Sequence, residues 1–137
     1  MHINGSQSMN KKILGSILLI GSLSVSHLAM AASLQNNMIS IATAYSDFSK
    51  SSNVKDAETA LNKMKLAAID SQKSKPSKLA NKPDNSAEVM DYHKGLDQLV
   101  AEIDKTNLLV KAGKLDQAKV EGKTLLDIRN VNHKKFK

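Results

Sequence analysis

The chain has 137 residues, of which 41% are hydrophobic and 3% aromatic, and its 20 basic against 13 acidic side chains give a formal charge of +7. The absence of cysteine excludes a disulfide framework and any thiolate metal site. The basic surplus does not read as a nucleic-acid surface, because the lysines are spread along the chain among acids and Arg129 is the only arginine.

Residues 1–31 have the layout of a secretory leader. Lys11 and Lys12 supply a basic start, Ile13 to Leu23 is mostly apolar, and Ala29-Met30-Ala31 is a small-x-small cleavage site. Met9 is the expected start of that leader. Gly15, Ser16, Gly21, Ser22 and Ser24 interrupt the apolar run, which argues against a retained membrane span, and no cysteine follows to take a lipid. The mature chain is then one domain over residues 32–137, exported to a periplasm, and loss of two lysines lowers its charge to +5.

From Ala32 onward apolar residues recur at steps of three and four, which predicts helices and no sheet. The first stripe is Leu34, Met38, Ile41, Tyr45 and Phe48. The second is Val54, Ala57, Leu61, Met64 and Ala68, entered through Ser51-Ser52-Asn53 with Asn53 as N-cap. A polar link over Ser74 to Ser86 holds both prolines, Pro76 and Pro83. Asn85 with Glu88 then resembles a capping box opening the third stripe, which runs Val89, Tyr92, Leu96, Leu99, Ile103, Thr106 and Val110. Gly113 suits the left-handed residue that ends a helix, and Asp116 complements the positive end of the next. The fourth stripe is Leu115, Ala118, Gly122, Leu125, Arg129 and Phe136, with His133 one turn after Arg129. Short links force antiparallel neighbours, so the expected fold is an all-α, antiparallel up-down-up-down four-helix bundle.

In that topology the first and last helices lie side by side and run in opposite senses. Met38, near the start of one, and His133, near the end of the other, then reach the same end of the bundle. A thioether and an imidazole are the pair that closes both axial positions of a low-spin haem iron. Each residue also has a plainer reading. Methionine fills irregular core gaps, and Met64 is taken as such a filler; a histidine in the last turn of a helix complements the dipole. Arg129 shares a face with His133 and has two readings, a partner for a carboxylate of the cofactor or a stem laid over apolar surface with its head in water. His93, one residue off the third seam, is the rival ligand and is better read as a surface histidine. Gly95 and Gly122, inside helices, serve either close helix approach or room for a flat ligand. No nucleophile with a matched base, phosphate loop or Glu-x-x-His motif is present, so no enzyme is indicated.

Asn37-Met38, Lys63-Met64-Lys65 with Ala67-Ala68, Asp70-Ser71-Gln72-Lys73, Gly95, Ile103-Asp104 and above all Arg129-Asn130-Val131-Asn132-His133-Lys134 resemble the cytochrome b562 family along the whole mature chain. The resemblance implies a periplasmic electron-transfer protein, monomeric, holding one haem b without a covalent bond. Met38 and His133 would be its iron ligands, Arg129 a further haem-binding residue, and an unidentified redox protein its partner. The family carries an aromatic residue where this chain has Leu96, and phenylalanine where it has Tyr92. Those two departures favour an alternative from another class, a haem-free helical binding or chaperone-like protein that keeps the fold.

Overall fold

The computed structural model describes residues 30 and 33–137, so the expected leader, residue 30 aside, lies outside the described residues. Helix α1 covers 33–50, α2 Val54–Ser71, α3 Ala87–Lys111, α4 Leu115–Glu121 and α5 Lys123–Phe136, with a single 3-10 turn at Ser77–Leu79 in the long link. No strand occurs among the described residues. The helices α4 and α5 together form the fourth arm of a four-helix bundle.

Local chemistry sets the ends. Asn53 caps α2, its side-chain oxygen accepting the Asp56 N–H at 2.8 Å. The expected capping box at Asn85 does not form. Ser86, with extended backbone, takes the cap position and accepts the Val89 N–H, while Glu88 turns to Lys82 at 3.3 Å. Gly113, at φ 75°, closes α3 as anticipated, with the Gly113 and Lys114 N–H groups bonding back to Val110 and Leu109.

The fourth stripe was expected as one helix, and it breaks at Gly122. Gly122 still donates to Ala118 at 2.8 Å, but the Leu125 N–H closes a tighter turn onto the Gly122 carbonyl at 3.0 Å. The two arms pack closely at this point. A Cβ at Gly122 would lie 2.6 Å from the Phe48 ring, so α1 and the fourth arm meet here only because the side chain is missing.

Polar pairs fix the register. Lys65 meets Asp104 and Gln72 meets Asp97, so seven residues up α2 match seven residues down α3. Lys105 with Glu121, and Asp91 with Lys135, run α3 antiparallel to the fourth arm in the same way. Asn37 donates to Asp70 at 2.8 Å and ties the start of α1 to the end of α2.

The core is in two parts. The larger gathers Ile41, Ala44 and Phe48 of α1, Ala57, Ala60, Leu61, Met64 and Ala68 of α2, Leu99, Ile103 and Val110 of α3, and Ala118 and Leu125 of the fourth arm. The smaller, at the end holding the long link, is Leu79, Val89, Tyr92 and Leu96, with Leu34 and Phe136 against it. Val54, expected on the second seam, is 37% exposed at the first position of α2, and Ala60, not named on that seam, is buried. No helix among the described residues is long and apolar enough to cross a membrane.

Candidate functional site

Between the two parts of the core lies a cleft of about 180 Å³. One wall comes from α1 through Leu34, Met38 and Ile41, which recur at helical spacing on its inner face. The opposite wall comes from α5 through Ile128, Arg129, Asn132, His133 and Phe136, again one helical face. Tyr92, Gly95, Leu96 and Leu99 of α3 complete it, with Pro76 of the link and Lys137 at the rim. The lining joins members of both core clusters, so a body filling the cleft would make the two clusters continuous.

Met38 and His133 line this one cleft, as the antiparallel arrangement of the first and last helices requires. Met38 is half-buried against the larger core and His133 is exposed. Arg129 lines the same wall one turn earlier, exposed, with no carboxylate partner among the described residues. Both α5 residues were expected on the apolar seam; both line the cleft and both are exposed. His93 is not among the cleft residues. It lies against Tyr92 with ring centroids 5.6 Å apart and planes tilted by 54°, and is half-buried. Met64, at 1% exposure, is a core filler as read.

Two supports hold the end of the cleft. The Tyr92 hydroxyl donates to the Ser71 carbonyl at 2.8 Å, pinning α3 to the end of α2, and burial pushes its pKa up to about 12. Its ring meets Phe136 edge-on at 5.5 Å and 79°, an arrangement worth about 0.5–1.5 kcal/mol. The Asn132 amide donates to the Ile128 carbonyl at 2.8 Å and lies where a Cβ on Gly95 would stand. The two helical glycines thus differ. Gly122 serves helix approach in the core, and Gly95 keeps α3 low beneath the cleft residue Asn132.

Sequence reasoning missed Pro76, which is buried and lines the cleft although it belongs to a link read only as a spacer. Ile128 and Asn132 were missed as cleft residues too. The signal was present, since both fall on the face shared by Arg129 and His133.

The lining combines a thioether, an imidazole, apolar walls and a guanidinium with no carboxylate partner among the described residues, a set that suits a flat apolar cofactor with charged edges.

The family model described as Cytochrome b562 matches residues 33–137. A Yersinia pestis protein named probable soluble cytochrome b562 2 is 38% identical over 92% of this chain and 98% of its own length. A second from the same organism, probable soluble cytochrome b562 1, is 34% identical over 85% of this chain and 91% of its own. An uncharacterised protein of Pasteurella multocida is 31% identical over 89% and 94%.

Proposed function

The chain belongs to the cytochrome b562 family, and from that premise we propose that it is a periplasmic electron carrier holding one haem b non-covalently, with the Met38 thioether and one ring nitrogen of His133 as the axial ligands. The observation that carries the reading is that these two side chains, far apart in sequence, line one apolar cleft. The family is one of electron-carrying cytochromes rather than enzymes. The periplasmic part rests on the leader-like residues 1–31.

Haem supplies a one-electron ferric–ferrous couple when bound. The chain's own residues determine how that couple behaves. Met38 and His133 would hold the iron between them, and two protein ligands would keep oxygen and substrates from it. A thioether favours the reduced state, and the apolar walls from Leu34, Ile41, Leu96 and Leu99 disfavour extra charge in the cleft, so both raise the potential. Arg129 offers its unmatched guanidinium to a haem carboxylate at the opening. The absence of cysteine leaves ligation and packing as the means of retention, and occupation of the cleft stabilises the folded state by mass action.

The test is a titration of purified protein with haemin, followed by absorption and by thermal unfolding. Uptake at micromolar haem should give the sharp reduced bands of six-coordinate low-spin iron and a raised Tm. Met38→Ala and His133→Ala should each convert the spectrum to a high-spin form. A protein that folds fully and shows no spectral change is the haem-free bundle instead, and the reading falls.

A further inference from the structure

The charge on this molecule is not spread evenly between its two ends. The end that carries the cleft combines the second half of α5 with the long link. The half of the bundle at that end, 33–42, 63–99 and 127–137, holds eleven cations against six acids, Asp70, Asp84, Glu88, Asp91, Asp97 and Asp127. The other half, 43–62 and 100–126, holds seven of each. Pairing alone does not distinguish the ends, because Lys111, Lys114 and Lys123 at the far end also lack a carboxylate partner among the described residues. At the far end Lys105 meets Glu121 at 2.8 Å and Lys119 is engaged by the Ser51 carbonyl. Around the cleft, Lys134 and Lys137 are exposed and have no carboxylate partner among the described residues, and Lys78 reaches only the Lys135 carbonyl at 3.3 Å.

We propose that the rim of the cleft, centred on Lys78, Lys134 and Lys137, is the docking face for an acidic redox protein. The inference rests on the cytochrome reading, since it assumes that the group exchanging the electron sits in this cleft. The argument is electrostatic and geometric. A short path for an electron requires the partner to meet the bundle at the cleft end, and a one-signed patch there raises encounter rates and orients the partner before contact. A protein partner is favoured over an anionic membrane by the texture of the patch. Lys75, Lys82 and Lys135 are paired to Asp84, Glu88 and Asp91, which leaves Lys78, Lys134 and Lys137 as the rim lysines without a carboxylate partner among the described residues, fewer than the clusters of four to eight cations that mark membrane-binding segments.

The experiment uses haem-loaded, reduced protein and stopped-flow oxidation by two small probes, the hexacyanoferrate(III) trianion and the tris(phenanthroline)cobalt(III) trication. Each takes one electron from the ferrous protein and leaves it ferric. The anion should react faster at low salt and slow several-fold as ionic strength rises, while the cation should show the opposite trend. Lys78→Glu with Lys134→Glu should cut the anion's low-salt rate by about tenfold. Lys55→Glu with Lys114→Glu, the same charge change at the far end, should alter it by less than about twofold. Lys78→Gln with Lys134→Gln serves as a milder pair and should give an intermediate effect with the spectrum intact. Equal effects from the two ends, or no salt dependence, overturn the proposal. So does co-sedimentation with phosphatidylglycerol vesicles at physiological salt that the near-end pair abolishes, which would make the patch a membrane contact. A protein that never acquires the haem spectrum refutes the cytochrome reading itself and is recognised before any rate is measured.

Discussion

The two helical glycines offer a controlled comparison, because replacing either with alanine brings the same local gain and a different steric cost. In a helix, alanine is favoured over glycine by about 1 kcal/mol. At Gly122 the new methyl would stand 2.6 Å from the Phe48 ring and 3.2 Å from the Ala118 carbonyl. Phe48 is 1% exposed and surrounded by core, so the ring has nowhere to go; overpacking of this kind costs about 1–3 kcal/mol. Gly122→Ala should therefore destabilise the cofactor-free protein by about 1 kcal/mol net, which at this size lowers Tm by roughly 4–8 °C. At Gly95 the obstacle is the Asn132 amide, the far end of a half-buried side chain held by one bond to Ile128. It can swing away, forfeiting about 1 kcal/mol that the helix gain offsets. Gly95→Ala should be close to neutral in urea unfolding, yet Asn132 would move into the cleft and haem affinity should fall. The assay is paired: urea midpoints without cofactor, then haemin titration of both variants. The reasoning is refuted if Gly122→Ala is as stable as the parent, or if Gly95→Ala costs more than Gly122→Ala while haem uptake is unchanged.

Tyr92→Phe removes a buried hydroxyl whose acceptor, the Ser71 carbonyl, still receives the Ser74 N–H at 3.3 Å, so the loss should be about 1 kcal/mol by urea unfolding. The same hydroxyl gives a pH signature. Burial raises its pKa to about 12, so its contribution is complete below the ordinary tyrosine value near 10 and drains as pH rises toward 12; the phenylalanine variant should lack that alkaline loss. Glu102 behaves analogously nearer neutrality. Burial, then the hydrogen bond and charge of Glu121 on α4, push it to about 7, while Lys105 opposes them. Its stabilising contribution is present below about 4.5 and lost as pH rises through about 7. Glu102→Gln should leave Tm unchanged at pH 4 and raise it at pH 8, and an equal Tm change at both would refute the pairing.

The fold was legible because helix spacing, caps and links all point the same way. The stripes named most of the buried side chains on each helix, Asn53 and Gly113 marked ends that form as read, and short links dictated antiparallel neighbours. What was missed has a common origin. Ala44 and Ala60 are buried because helices pack close around them, and their small size makes them weak hydrophobic markers. Ser86 displaced Asn85 as a cap because the turn at Pro83 delivers the chain one residue later, the Ser86 N–H bonding back to the Pro83 carbonyl at 3.0 Å. The close approach at Gly122 depends on Phe48, seventy-odd residues away, and no local window contains that contact.

The site was legible for a different reason. A bundle whose seams were complete at both ends would need no cleft, and here the seam fails at one end only. The walls there are made of Leu34, Leu96, Leu99 and Ile128, side chains that fit a core, and yet they leave two clusters unjoined. Apolar surface left facing a gap forgoes about 25 cal/mol for every Å² that a filled core would have covered. Such a gap persists in a folded chain where something else covers it. Met38, Arg129 and His133 all line that gap. Pro76 escaped notice because its role is to close the cleft from a link, where neither periodicity nor capping leaves a trace. The incomplete seam and the proposed ligand pair thus fall in one place: the chain withholds side-chain volume where Met38 and His133 line the same cleft.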